Sequence, residues 1–331
     1  MRTRRAFAAV ALAALPILLT ACGTDTPAPA KAAKGQSAPA LREITHDLGT
    51  VKVPTKPKAV IALDEVAGLT LLSFGIKPEA VYLASAQPRA QEILTANDVE
   101  LRKIEVGKTP ELEELTEDTP DLLVGTGAAG ATGQNYKSLS RLAPTVVLPI
   151  EGEWREIVRR TAGFFGEEEV GKRQITAAET VLGTAADAVK GKRTLSLLGN
   201  SFGANDFTMP PHVPISTLIA EAGFTRPAFQ QKKAEGYSVP LSKEYLPEQD
   251  AELIVIPRGE FYTPDALTDN PAFTATGKVV TPDADVWFGM SGFAFYASAH
   301  DLRTLASGKG ELSSADNIQD IWAAYVKATK S

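Results

Sequence analysis

The sequence predicts an α/β protein in which two α/β lobes are joined by one long helix, leaving a cleft between the lobes. Three observations predict it. Short β-rich runs alternate with helical stretches before residue 167 and again after residue 190, as when helices cover a sheet. Between these regions Val170, Gln174, Ala178, Val181, Ala185 and Val189 recur at helical spacing, with Gly171 and Gly183 as the interruptions. The chain has 331 residues, 44% of them hydrophobic, which is longer than one core usually organises.

The first 21 residues read in three parts. Arg2, Arg4 and Arg5 form a basic start, Ala6 to Leu19 is apolar, and Leu19-Thr20-Ala21-Cys22 closes the segment, the pattern of a signal peptide. An apolar run of about 14 residues makes about 21 Å of helix, too short for a hydrocarbon core of about 30 Å. Cys22 directly follows the small residues, and the segment resembles the lipobox of bacterial lipoproteins. That resemblance implies a lipid on Cys22 and a mature protein tethered to the outer face of the cytoplasmic membrane. Cys22 is the sole cysteine, which excludes disulfides within the chain and Cys-based metal sites.

Cleavage before Cys22 takes three Arg and no acid from a net charge of −6, leaving −9 over 310 residues. That charge argues against a nucleic-acid partner. Residues 22–40, rich in Ala, Pro, Lys, Gly and Ser, form a solvated spacer with little to bury.

The first lobe spans 41–166, with strands expected at Ala59 to Leu63, Ala80 to Leu83, Asp121 to Val124 and Thr145 to Ile150 in a mostly parallel sheet. Residues 167–190 form the connecting helix, of which Glu167 to Val189 spans about 34 Å if unbroken. The second lobe spans 191–331, with strands near Thr194 to Leu198, Leu253 to Pro257 and Gly277 to Val280. One helix joins such lobes stiffly, and the cleft between them is the natural ligand site. The lobes echo one another. Glu113-Glu114-Leu115 stands before Asp121-Leu122-Leu123-Val124, and Glu244-Tyr245-Leu246 before Glu252-Leu253-Ile254-Val255, so each Glu precedes by eight residues an acid that opens a strand.

Several stretches stand out in order and spacing: His46 to Gly49 with Val53 to Val60, Val106 to Glu113, Pro120 to Val124, Leu139 to Val146, Leu241 to Leu246, and Asn270 to Phe273 before Gly277 to Val280. Together they resemble the siderophore-binding branch of the substrate-binding proteins that serve ATP-driven (ABC) importers. The resemblance covers roughly Leu41 to Ile321. It implies a non-catalytic, monomeric receptor with a rigid helical backbone, which captures a ferric siderophore and hands it to a membrane permease and its ATPase. In this family one Glu on each lobe docks to Arg residues of the permease, and Glu113 and Glu244 fall on those positions.

A ferric siderophore arrives with its iron fully coordinated, so the receptor supplies flat apolar surface and nearby cations rather than metal ligands or a cofactor. His46, His212 and His300 are scattered and lack metal-site spacing. Candidates lie in loops that follow strand ends. In the first lobe these are Arg89, by position, and Lys108 and Tyr136, which match places where hydroxamate-binding relatives carry an Arg and a ligand-facing Tyr. In the second, Trp287-Phe288 resembles a ligand-facing aromatic pair, Trp287 being the candidate, with Tyr237, Phe202 and Arg258 beside it. A hydroxamate is favoured because a charge of −9 does not attract strongly anionic chelates. A corrinoid or haem receptor of the same class is the alternative, haem requiring a Tyr or His to reach its iron.

Two motifs point elsewhere. Gly125-Thr126-Gly127-Ala128-Ala129-Gly130 follows a strand and spells a dinucleotide-binding pattern, with Glu151 as a candidate ribose acid. The polar run through Gly133 to Asn135 argues that no apolar helix follows directly, as that motif needs. Gly199-Asn200-Ser201-Phe202-Gly203 matches a nucleophile elbow, with Asp285 and His300 in hydrolase order. An exported serine hydrolase is therefore the rival from another functional class. Asn205, Asp206, Pro210 and Pro211 favour turns where the elbow requires a helix.

Overall fold

The computed structural model describes residues 40–127, 130–191 and 193–330. The signal peptide, Cys22 and the spacer lie outside the described residues. The first strands, β1 (Leu41–His46) and β2 (Gly49–Pro54), pair as an antiparallel hairpin. Then follow β3 (Val60–Ala62), α1 (Glu65–Ser73), β4 (Ala80–Leu83), α2 (Pro88–Ala96), β5 (Glu100–Lys103), α3 (Leu112–Glu117), β6 (Leu122–Thr126), α4 (Ala131–Leu142), β7 (Thr145–Leu148) and α5 (Trp154–Phe165). Strands β5-β4-β3-β6-β7 make one parallel sheet.

Its inner strands are continuously apolar because both faces are covered. Val60, Ala62, Leu122, Val124 and Val146 meet Leu71, Leu94 and Phe165 on one face. Ile61, Tyr82 and Leu123 meet Leu115 and Leu139 on the other.

The connecting helix α6 (Glu168–Ala188) has 21 residues, about 30 Å, flanked by Glu167 and Val189 as caps. Gly171 does not interrupt it. A Cβ there would lie 2.5 Å from the Ala162 Cβ, so glycine lets α5 and α6 approach closely.

The second lobe runs β8 (Leu195–Ser201), β9 (Asn205–Thr208), α7 (Pro214–Glu221), β10 (Val239–Pro240), a 3₁₀ helix (Lys243–Gln249), β11 (Leu253–Val255), α8 (Pro264–Thr268), β12 (Lys278–Val280), α9 (Ala284–Trp287) and α10 (Gly292–Ser307). Its sheet order is β10-β9-β8-β11-β12, with β8, β11 and β12 parallel and β9 antiparallel to both neighbours. The last helix, α11 (Ile318–Lys330), lies in the stretch read from sequence as second lobe, yet it returns to α6, where Thr329 O accepts from Arg173 Nε at 2.6 Å, and to α2.

The lobes share more than the helix. Leu69, Ala90 and Ile93 of the first lobe belong to the same apolar core as Val286, Phe293 and Phe295 of the second. That shared core resists wide opening, since separating the lobes would expose it to water.

Both misleading motifs resolve here. After Ser201 the chain turns at Phe202-Gly203 and returns as the antiparallel β9, so the helix of a nucleophile elbow is replaced by a hairpin. Gly199 serves packing, because a Cβ there would lie 2.2 Å from the Phe207 ring. At the dinucleotide-like motif the sequence argument needs correction, because α4 does begin directly at Ala131 despite its polar face. Thr132, one of its two buried residues, packs so closely on Gly125 that a Cβ would clash at 2.3 Å. A small threonine contact anchors the helix where an apolar run was sought.

Asp301 ties the end of the second lobe together. Wholly buried, it accepts from Trp287 Nε1 at 2.9 Å, Ser313 N at 2.7 Å and Ser313 Oγ at 2.7 Å. Asp301→Ala leaves three buried donors without a partner and should cost about 2–4 kcal/mol in denaturant unfolding.

Candidate ligand cleft

Two contacts bracket the space between the sheets. At one side the start of α2 meets the loop after β12, where Arg89 pairs with Asp283. At the other, Ile150 and Glu151 after β7 face His212, Pro214 and Tyr237 of the second lobe across a cavity of about 230 Å³. Between these brackets stand the carboxyl ends of β3 and β6 in one lobe and of β8 and β11 in the other, the edge at which open α/β sheets bind ligands.

Near the strand ends of the second lobe three partly exposed aromatic rings cluster. Tyr262 and Phe288 pack with ring centroids 4.8 Å apart, and Phe207 lies 5.8 Å from Phe288 and 6.3 Å from Tyr262. Tyr237 is 38% exposed, and partial burial and the neighbouring Tyr262 push its pKa up. At the hairpin tip Phe202 is 71% exposed, 5.2 Å from Phe261, and holds φ at +55°. That left-handed conformation is strained for so bulky a residue.

The sequence candidates divide on this frame. Phe202 and Tyr237 belong to the aromatic group. Trp287 requires correction. It is 1% exposed and its indole is held by Asp301, so α9 turns it into the core, and the partly exposed member of the pair is Phe288. Arg89 is committed to other groups. Its guanidinium meets Asp283 Oδ2 at 3.0 Å, out of line for a hydrogen bond, and NH1 donates to Glu92. Arg258 forms a two-point pair with Asp265, at 3.1 and 2.9 Å, within its own lobe. Tyr136 packs edge-on against His46, its hydroxyl 3.2 Å from Nε2, and so braces α4 against the β1–β2 hairpin. Lys108 is exposed, with no ion pair among the described residues. Glu113 on α3 and Glu244 on the 3₁₀ helix are both exposed, each two residues before a buried leucine, Leu115 and Leu246. Tyr262, Phe261 and Phe207 were missed. The available signal was the adjacent Phe261-Tyr262 in a loop that follows a strand.

Two aspartates near strand ends carry raised pKa values. Asp64 caps α1 and accepts from Ala67 N, Thr126 N and Thr126 Oγ1, and burial raises its pKa to about 6. Asp285, facing Asp283, Glu65 and Arg89, is pushed up to about 7, mainly by burial. A folded-state pKa above the unfolded one gives stability that is present below the unfolded value and lost as pH rises through about 7. Asp285→Asn retains an acceptor and cannot ionise. It should therefore be more stable than the parent by on the order of 1–2 kcal/mol at pH 8. By pH 4 thermal unfolding should show the difference gone.

The fold is that of the two-lobed siderophore-binding proteins of ABC importers. It superposes on the petrobactin-binding protein YclQ of Bacillus subtilis with a TM-score of 0.67 at 18% identity, covering 82% of this chain and 100% of that one. Staphylococcus aureus SirA complexed with staphyloferrin B gives 0.65 at 19%, covering 81% and 98%. PiaA of Streptococcus pneumoniae TIGR4 in complex with ferrichrome gives 0.57 at 17%, covering 87% and 98%. In sequence the chain is 26% identical over 249 residues to YhfQ of Bacillus subtilis (strain 168), assigned as an ABC transporter substrate-binding lipoprotein, over 69% of this chain and 73% of that protein. No family model matches. These relatives are binding proteins by name, and the chain shares their two-lobed architecture.

Proposed function

We propose that the chain is an extracytoplasmic lipoprotein that captures a ferric siderophore, hydroxamate in preference to catecholate, and delivers it to an ABC permease. The observation that carries this reading is the aromatic cluster, beside cations already neutralised by carboxylates, on the fold of siderophore receptors. Tyr262, Phe288, Phe207 and Tyr237 offer flat surface to an organic shell. Arg89 and Arg258 are engaged with Asp283 and Asp265, which leaves Lys108 as the free candidate cation. A trianionic catecholate would also meet Glu151, which lines the cavity beside Tyr237, so a neutral or cationic hydroxamate chelate fits better. Haem is disfavoured because burial raises the pKa of both Tyr237 and Tyr262, opposing the phenolate that would ligate its iron.

Among the described residues no helix is long and apolar enough to cross a membrane. In this reading lipid on Cys22 holds a monomeric receptor at the outer face of the cytoplasmic membrane, with 22–40 as its tether, which raises its concentration near the permease. The test is uptake of radioactive iron, supplied as a ferric trihydroxamate, by iron-starved cells lacking the gene. Uptake should fall and return with the intact gene, and Cys22→Ala should release the protein to the medium or periplasm while its chelate affinity stays unchanged. Undiminished uptake of every ferric chelate in the deletion strain would count against the proposal.

A further inference from the structure

The contact between Arg89 and the second lobe has a geometry that ligand binding does not require. Arg89 is the second residue of α2, where a backbone N–H has no partner within the helix. Gln87, at the N-cap, supplies no side-chain cap. The missing acceptor comes from the other lobe, as Asp285 Oδ2 takes the Arg89 N–H at 2.9 Å. The guanidinium of the same residue reaches Asp283, and the two side chains are 15% and 18% exposed, so the pair is shielded from solvent.

The 282–285 turn is stitched in turn to the loop after β11. Arg258 N donates to Pro282 O and Ala284 N donates to Arg258 O, both at 2.8 Å. Gly259 allows that approach, since a Cβ there would lie 2.9 Å from the Ala284 Cβ. Helix α9 leaves this turn and ends at Phe288, which packs on Tyr262 from the same stitched loop.

We infer that Arg89 is a positioning residue: from the first lobe its guanidinium holds Asp283 and with it the 283–285 turn of the second, thereby fixing the cleft width and the aim of Phe288 and Tyr262. The second half of this inference rests on the reading of that aromatic cluster as the ligand surface. The first half concerns the ligand-free protein and is tested there.

The experiment uses the full mature chain with Cys22→Ala, and spin labels on cysteines replacing Lys137 of α4 and Ala220 of α7, both exposed. The parent should give a narrow inter-lobe distance distribution without ligand. Arg89→Met should broaden it and weaken ferrichrome binding about tenfold, mainly through faster release. Arg89→Lys, which keeps the charge opposite Asp283, should recover most of both losses. Arg159→Met, which removes an exposed pair within α5, should change neither. An Arg89→Met distribution as narrow as the parent's, in protein that unfolds cooperatively, would overturn the inference. Failure of the parent itself to bind any ferric chelate would instead overturn the functional reading, with the distance comparison still deciding the strut.

Discussion

Charge reversal of Glu113 and Glu244 together, each to Arg, is expected to reduce siderophore-dependent iron uptake to the background of the deletion strain, with chelate affinity and thermal stability unchanged. Both carboxylates are exposed, on α3 and on the 3₁₀ helix before β11. Neither takes part in the cleft wall, and their helices are seated by Leu115 and Leu246, which the substitutions leave in place. Reversal is more informative than removal, because it sets like charges against the Arg residues that the family resemblance implies on the permease, and such juxtaposition costs several kcal/mol. Each single reversal should leave partial uptake, since the other lobe still docks. Loss of chelate binding in the double variant would show that these residues serve the cleft instead.

The second large effect belongs to the aromatic cluster. Phe288→Ala and Tyr262→Ala should each weaken binding of a ferric trihydroxamate about 10- to 100-fold, in line with 1.4–2.8 kcal/mol for truncating a large ring at a binding surface. Each ring packs on the other and on Phe207, so the losses should not add in the double variant. Titration followed by heat or fluorescence measures this. Unchanged affinity in both single variants would place the ligand elsewhere in the cleft.

The fold was legible where burial is two-sided. Strands β3, β4, β6 and β7 read as apolar runs because helices cover both sheet faces, and α6 read as a helix because its buried residues keep one stripe. Edge and hairpin strands were not legible. Strand β5 is Glu-Leu-Arg-Lys with no fully buried residue, and β1, Leu-Arg-Glu-Ile-Thr-His, lacks a clean polar and apolar alternation and pairs with β2 in a sheet of their own. The site was harder for a physical reason. Residue type marks Trp287 and Phe288 as aromatic, but which one faces the core depends on where α9 ends and on Asp301, 14 residues away. Arg89 looked available because its acceptors, Asp283 and Asp285, lie in the other lobe, nearly 200 residues further along the chain. Pairing across such a distance leaves no local pattern, whereas the Glu-x-Leu echo at 113 and 244 survives because it is local to each lobe.

The central claim is that the cleft binds a ferric chelate, and the chain contains its own reporter. Trp287 is buried one residue from Phe288, and the chain's other two tryptophans, Trp154 and Trp322, are also buried. Titration of the mature protein's tryptophan fluorescence with ferrichrome should give saturable quenching with a Kd of about 1 µM or tighter, while a tricatecholate, haem and cobalamin should bind more weakly. Absence of quenching by every ferric chelate at micromolar concentration, in protein that unfolds cooperatively, would contradict the account.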